Sequence, residues 1–179
     1  MVEVNIDDTI IQKAYDLAYK YEAQYGACSQ ATIRALEESL NESDPFDFKV
    51  MSGFAAGVGC EGDGICGGYA AGTFFLSKKY GRLRDDLDKD PKDPSAEKIL
   101  FKTFGLVKKL HDKFIEKYGS IICHSIHRKL YGRPYYIRDK DELAKFLNAG
   151  AHDWGCPSVC GESAKWTLEI INDYIQTFK

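Results

Sequence analysis

The sequence predicts an all-α protein, a single-domain bundle of about seven or eight helices. Three observations predict this fold class. Apolar residues recur at intervals of three and four along most segments, helix caps and breakers separate those segments, and convincing paired strands are missing. A chain of 179 residues is long enough to bury one hydrophobic core. We therefore treat residues 1–179 as one helical domain.

Four helices are predicted before residue 81. Between Asp7 and Tyr25 apolar side chains share one helical face, and Asp7 or Asp8 can cap the first turn. After Gly26, the stretch ACSQATIRALEESL predicts a second helix. FDFKVMSGFAAGV predicts a short third helix before a glycine-rich loop that carries Cys60. GGYAAGTFFLSKKYG then predicts a buried helix whose small residues allow another backbone to approach closely.

The second half begins with a polar, proline-containing surface excursion around residues 82–95. The clearest helix follows over 95–118, and its predicted core-facing stripe has six members: Leu100, Phe104, Val107, His111, Phe114 and Tyr118. We expect His111 to be a hydrogen-bonded core residue. Three more helices are predicted, one capped by Ser120, one over DKDELAKFLNAG and one that begins at Pro157.

Charge and hydropathy narrow the classes of partner. The net charge is −3, and basic residues are scattered among acidic ones, so we expect no nucleic-acid partner. The apolar runs are too short to span a bilayer. The first ten residues lack the basic and apolar regions of a secretory signal. We therefore expect a cytoplasmic protein, and we leave a homodimer open.

Six cysteines are the main candidates for chemistry. In a reducing compartment, clustered thiols more often bind metal or exchange electrons than form structural disulfides, although each single cysteine could also serve only in packing. Four of them fall within the first turn of a predicted helix, where free backbone N–H groups and the positive end of the dipole favour a thiolate. These four are the candidate catalytic and metal-binding residues: Cys28, Cys66, Cys123 and Cys156.

The four helix starts would form a site for thiolates or for an anionic iron–sulfur cluster if they converged. Cys60 and Cys160 are possible auxiliaries, and Gly67 and Gly68 are candidates for contact with a cofactor because they directly follow Cys66. Local spacing is less specific. Five residues separate the second and third cysteines and three separate the last two, and neither is the two-residue spacing of zinc knuckles or thioredoxin-like motifs.

Four blocks of the chain resemble the family of redox-active proteins named for the C_GCAxxG_C_C motif. In order they read YGACSQAT, GVGCEGDGICGGYAAG, YGSIICHSIHRKLYGR and AGAHDWGCPSVCGESAKWTLEI. The resemblance implies that Cys28, Cys66, Cys123 and Cys156 are the family's four cysteines. The family's CGAxxG block reads Cys66-Gly67-Gly68-Tyr69-Ala70-Ala71 here, so Gly68 replaces its alanine and Ala71 its last glycine. Cys60 and Cys160 look like additions. The resemblance implies a redox class and not a substrate.

Two functions from different classes follow. In the leading hypothesis the four cysteines hold an iron–sulfur cluster or cycle between dithiol and disulfide in electron transfer, as an oxidoreductase or an electron carrier. The alternative is a non-catalytic protein with a structural zinc ion, bound by cysteine together with His124, His127 or His152. A haem protein with histidine ligands is a third hypothesis that no motif supports. Serine elbows, HExxH and phosphate-binding loops are missing from the sequence.

Overall fold

The computed structural model describes residues 6–87 and 94–177. Eight α-helices and no β-strands occur in this part of the chain, which confirms the all-α prediction. None of these helices is long and apolar enough to cross a membrane. Their bounds are α1 Asp8–Tyr25, α2 Cys28–Ser39, α3 Pro45–Val50, α4 Gly67–Tyr80, α5 Pro94–Tyr118, α6 Cys123–Tyr131, α7 Lys140–Asn148 and α8 Cys156–Thr177.

Local capping explains where several helices begin and end. The carboxylate of Asp7 accepts the backbone N–H of Ile10 at 3.0 Å, so the predicted cap of α1 is confirmed. The carboxylate of Asp139 accepts two backbone N–H groups in the same way and starts α7. Gly26 ends α1 with a φ of 67°, a backbone conformation that glycine adopts without strain.

The helices enclose one core. Helix α1 packs against α2 and α8, and α4 packs against α2, α5 and α8. Neighbours also approach closely at Gly72 of α4, where a Cβ atom would lie 2.6 Å from the Thr167 hydroxyl and 2.7 Å from Leu110. The small residues of α4 therefore allow a tight neighbour, as the sequence predicts.

The core-facing stripe predicted for α5 is wrong in part. Phe114 and Tyr118 are buried, but Phe104 is 55% exposed, and His111 is partly exposed beside Asp112. The buried residues of the same helix also include Thr103, Leu106 and Leu110, which sit one position away from the predicted face. Phe104 is an aromatic residue on the solvent side of α5, and counting it as a core residue displaces the predicted face by one position. His111 is thus a surface residue and not a core one.

The predicted third helix is shorter than its apolar pattern. After α3 the chain forms a 3₁₀ turn over Met51–Phe54, and then five consecutive residues, 56–60, have positive φ angles. Three of the five are Ala56, Val58 and Cys60, which adopt this left-handed conformation at a steric cost. We call residues 56–60 the left-handed turn.

Two shorter helical turns and one bridge complete the described chain. A 3₁₀ turn spans Arg84–Leu87 in the predicted surface excursion, of which residues 88–93 lie outside the described part. A π-helical turn, Ala151–Gly155, leads directly into α8. A single antiparallel bridge joins Ile65 to Ile122, and so holds the start of α4 beside the start of α6.

Candidate functional site: a cavity lined by six cysteines

All six cysteines line one cavity of about 440 Å³, which we call the six-cysteine cavity. Its wall is built from the end of α1, the starts of α2, α6 and α8, the left-handed turn, and residues of α7 and the π-helical turn. All six thiols are free. The structure therefore brings together side chains that are up to 132 residues apart in the sequence, as in the contact of the Cys160 thiol with the Cys28 carbonyl at 3.6 Å.

Four of the cysteines stand at helix starts. Cys28, Cys123 and Cys156 are the first residues of α2, α6 and α8, and Cys66 is the cap residue before α4. Backbone N–H groups in the first turn of α4 act on the Cys66 thiol and oppose the rise in its pKa that burial causes. The Cys28 sulfur accepts the backbone N–H of Ala56 in the left-handed turn at 3.4 Å. At α6 and α8 the first backbone donors are already bonded: the Cys123 and His124 N–H groups donate to the Gly64 and Gly62 carbonyls, and the Cys156 N–H donates to the Ala151 carbonyl.

The remaining two cysteines share the same wall. Cys60 reaches it from the left-handed turn, and Cys160 reaches it from the second turn of α8. Sequence reasoning makes both of them auxiliaries because neither stands at a helix start. The positive φ angle of Cys60 is what places it at the cavity, and no local sequence pattern signals that angle.

Burial controls the protonation of these thiols. It raises the pKa of Cys28, Cys156 and Cys160 well above the ordinary value, and it also raises the pKa of Cys66 and Cys123. Backbone N–H groups oppose this effect at Cys28 and Cys66 but do not outweigh it. The preference for thiolates expected from the helix starts is therefore reversed by desolvation while the cavity holds thiols alone.

The two glycines after Cys66 have different surroundings. Gly67 lies directly against the Cys28 sulfur, and a Cβ atom at this position would overlap it. A Cβ atom at Gly68 would meet Ser163 and Val159 at 3.5 and 3.6 Å, which are ordinary contacts. Neither glycine is among the residues that line the cavity. Gly67 brings the start of α4 against Cys28, and Gly68 packs α4 on α8.

His127 of α6 stands between two thiols. Its Nε2 atom lies 3.6 Å from the Cys123 sulfur and 3.9 Å from the Cys156 sulfur. The ring stacks on Phe146 with 4.6 Å between centroids and is 4% exposed. This burial lowers the pKa of His127 to about 4, so the imidazole is neutral at pH 7. Tyr131 donates its hydroxyl to the Cys156 sulfur at 3.7 Å from the other side.

The other two histidines proposed as zinc ligands lie elsewhere. His124 Nδ1 is 3.1 Å from the carbonyl oxygen of Gly62 and does not line the cavity. His152 lines the cavity, but its Nδ1 atom lies 3.3 Å from Glu22. Within residues 6–87 and 94–177, no three His, Cys, Asp or Glu side chains are grouped closely enough to hold a metal ion. The donors surround a space and do not converge on one point.

Glu22 is the site residue that sequence reasoning missed. It is 2% exposed at the C-terminal end of α1 and lines the cavity. Its position gave one signal, since a glutamate on the buried face of an amphipathic helix needs a partner. His152 supplies that partner for one carboxylate oxygen.

One known protein family matches most of the chain. Residues 26–170 match the family described as "Putative redox-active protein (C_GCAxxG_C_C)". The chain belongs to this family. Comparison with curated proteins and with solved structures gave no significant match. The family resemblance seen in the sequence is thus confirmed.

The CGAxxG block that begins at Cys66 differs from the family pattern at Gly68 and Ala71, and both residues are buried in α4. Gly68 has room for the alanine of the motif. Ala71, which replaces the last glycine, is fully buried, and the close approach of α4 to its neighbours occurs one residue later at Gly72. Both small-for-small changes are compatible with the packing of α4.

Proposed function

We propose that this protein transfers electrons through an iron–sulfur cluster that Cys28, Cys66, Cys123 and Cys156 hold in the six-cysteine cavity. The observation that carries the proposal is the gathering of six free thiols around one space of about 440 Å³. Cysteine thiolates, four to a cluster, are the usual ligands of iron–sulfur centres, which supply reversible one-electron transfer when bound.

The charge distribution of the cavity supports this choice. Among the described residues that line it there is no lysine or arginine, whereas Glu22 adds a buried carboxyl group. Several thiolates could not coexist there without positive charge, because buried charges of one sign raise each other's energy. Bound metal ions supply that charge and displace the thiol protons. Backbone N–H groups then stabilise part of the remaining negative charge, that of Ala56 at Cys28 and those in the first turn of α4 at Cys66.

The spacing of the donors favours a cluster over a single zinc ion. Zinc requires four donors within about 2.0–2.3 Å of one point. The described side chains surround a cavity and are not grouped in that way. A cluster contains several metal ions, so its ligands stand farther apart. His127 alone among the three histidines considered has a ring nitrogen within 4 Å of a cysteine sulfur.

Iron and sulfide content test the proposal. We expect protein purified or reconstituted without oxygen to contain both elements and to absorb visible light. Changing any one of the four proposed ligand cysteines to serine should remove most of the iron. Cys60→Ser is the matched control and should retain it, because Cys60 is supplied by the left-handed turn and not by a helix start. A colourless protein that binds neither iron nor sulfide under these conditions would overturn the proposal.

Dithiol–disulfide cycling is the second candidate, and the placement of Cys123 and Cys156 favours it. Both sulfurs lie within 4 Å of the same His127 nitrogen. Formation of their S–S bond would release two electrons to an oxidant and two protons. The raised pKa of both thiols disfavours the attacking thiolate, which makes this candidate the weaker one. Iron-free protein that reversibly loses two thiols would support it.

The partner and the compartment stay predictions. We expect a separate protein to exchange electrons with this one, and we keep a homodimer and a cytoplasmic location as expectations drawn from the sequence. Sedimentation of the purified protein measures its oligomeric state directly.

A further inference from the structure

Glu22 is a buried carboxyl group that the proposed ligation does not use. Its side chain is 2% exposed, yet it lines the six-cysteine cavity. One oxygen, Oε1, lies 3.3 Å from His152, and the other, Oε2, has no hydrogen-bond partner within the described chain. Buried carboxylates normally satisfy both oxygens, so an unpartnered one is an exception that asks for a function.

The groups that face Glu22 come from every surrounding element. His152, from the π-helical turn, is the one group named beside it that becomes positively charged on protonation, and its contact with Glu22 raises its pKa. Five thiols lie near enough to interact with its charge: Cys28 of α2, Cys66 before α4, Cys123 of α6, and Cys156 and Cys160 of α8. The Tyr131 hydroxyl of α6 does so as well. Apart from His152, every one of these neighbours is neutral or acquires negative charge.

Electron transfer into this surrounding changes its charge balance. An added electron increases the negative charge in the cavity. A buried carboxylate nearby repels that charge strongly, because the local dielectric constant is low. Burial already raises the pKa of Glu22, while His152 partly offsets that effect. Extra negative charge shifts the carboxyl group further toward its protonated form.

We propose that Glu22 takes up a proton on its free oxygen when the site in the six-cysteine cavity gains an electron. This inference rests on the proposed electron-transfer function. A one-electron reductant supplies the electron and solvent supplies the proton. An O–H bond forms at Oε2, and oxidation of the site releases both again. His152, whose Nδ1 atom lies 3.3 Å from the other oxygen, is a positioning residue that acts through its charge.

The dependence of the midpoint potential on pH tests this role. Anaerobic protein carrying its cluster is titrated with dithionite at several pH values on both sides of neutrality, with mediators present. Over part of this range we expect the wild-type potential to fall by about 59 mV per pH unit, the value for one proton per electron. In Glu22→Gln the potential should be higher, since a negative charge is lost, and its pH dependence over that range should disappear.

Two further variants and two measurements complete the test. Glu116→Gln changes an exposed carboxylate of α5 and should leave the slope unchanged. His152→Gln removes the neighbouring cation and should move the sloping range to higher pH. This variant decides the question if Glu22→Gln does not fold. Iron content and circular dichroism show that each variant is folded and loaded.

The outcomes separate the two proposals. Equal slopes in wild type and Glu22→Gln, or an unmoved range in His152→Gln, would overturn the proton role while the electron-transfer function stands. If the wild-type protein has no reversible one-electron couple, the proposed function fails and the proton role fails with it.

Discussion

The sulfur of Cys28 occupies the space that a side chain at Gly67 would need. A Cβ atom at position 67 would overlap this sulfur and lie 2.9 Å from the backbone nitrogen of Ser29. The first turns of α2 and α4 therefore pack directly against each other through the Cys28 side chain and the Ser29 backbone. This contact fixes the position of Cys28 relative to Cys66, and thus of two of the four proposed ligands.

Gly67→Ala should therefore destabilise the protein and disturb the cavity. We expect the free energy of unfolding to fall by about 1–3 kcal/mol, the usual cost of forcing an extra methyl group into a filled space. Iron content after anaerobic reconstitution should fall too, because Cys28 must move. Urea unfolding and iron analysis measure the two effects.

Two other glycines provide matched controls. A Cβ atom added at Gly105 in α5 would meet no other atom within 4 Å, so Gly105→Ala should raise the free energy of unfolding by about 0.5–1 kcal/mol through helix propensity. Gly68→Ala makes only ordinary contacts and should have a small effect. If Gly67→Ala proved as stable as Gly105→Ala, the tight contact at Cys28 would be wrong.

Oxidation of iron-free protein should first join Cys123 to Cys156. Their sulfurs lie 3.6 and 3.9 Å from one His127 nitrogen, so this side chain holds the two thiols in one part of the cavity. Peptide mapping by mass spectrometry after mild oxidation identifies the pair. His127→Phe keeps an aromatic ring beside Phe146 and should slow the reaction. A first disulfide between Cys60 and Cys66 would contradict the expectation.

The stability of iron-free protein should fall as the pH decreases from about 6.5 to 4. In this range the unfolded chain binds a proton at His127, whereas the folded protein does not, because burial lowers the folded pKa to about 4. The contribution of His127 is thus present above pH 6.5 and lost in acid, and it amounts to on the order of 3 kcal/mol. Urea unfolding at several pH values measures it.

The comparison with His127→Phe isolates this contribution. The raised pKa of Glu22 acts in the opposite direction, but it is common to both proteins and cancels in the difference. We expect a smaller acid loss in His127→Phe than in the wild type. His111→Phe, at a partly exposed position, should retain the wild-type loss. Identical pH profiles in all three proteins would show that His127 is not buried as described.

Val58→Asn should stabilise the protein. Val58 is 44% exposed and has a φ angle of 64°, which is a strained conformation for a β-branched residue. Asparagine tolerates this region far better, and we expect a gain of about 1 kcal/mol in the free energy of unfolding. Val107→Asn, in the right-handed helix α5, should destabilise instead. No gain at position 58 would contradict the left-handed turn.

Local rules predict the helix starts and therefore the four cysteines at them. The cap at Asp7 and the proline at 157 act within one turn of their own position, so the sequence alone reveals them. The distances between the four starts do not follow from these rules, because convergence depends on how all the helices pack. Cys60 escapes prediction for a related reason, since an unusual φ angle places it.

Taken alone, the helix starts predict lowered pKa values for the thiols, whereas in the structure these pKa values are raised. Backbone N–H groups at a helix start are a local feature, and they do act on Cys66. Desolvation is a property of the whole fold, and it is the larger effect at every cysteine for which burial raises the pKa. Glu22 is missed for the same reason, because its surroundings in the cavity are formed by residues that α2, α6 and α8 contribute.

The π-helical turn at Ala151–Gly155 makes the number of residues there as important as their identity. A π-helical turn holds one residue more than an α-helical turn, and each residue of an α-helix rotates the chain by about 100°. Deleting a single residue would wind this segment into the register of α8 and rotate His152 away from Glu22. Exact length, which point substitutions leave intact, is thus what keeps the histidine facing the carboxylate.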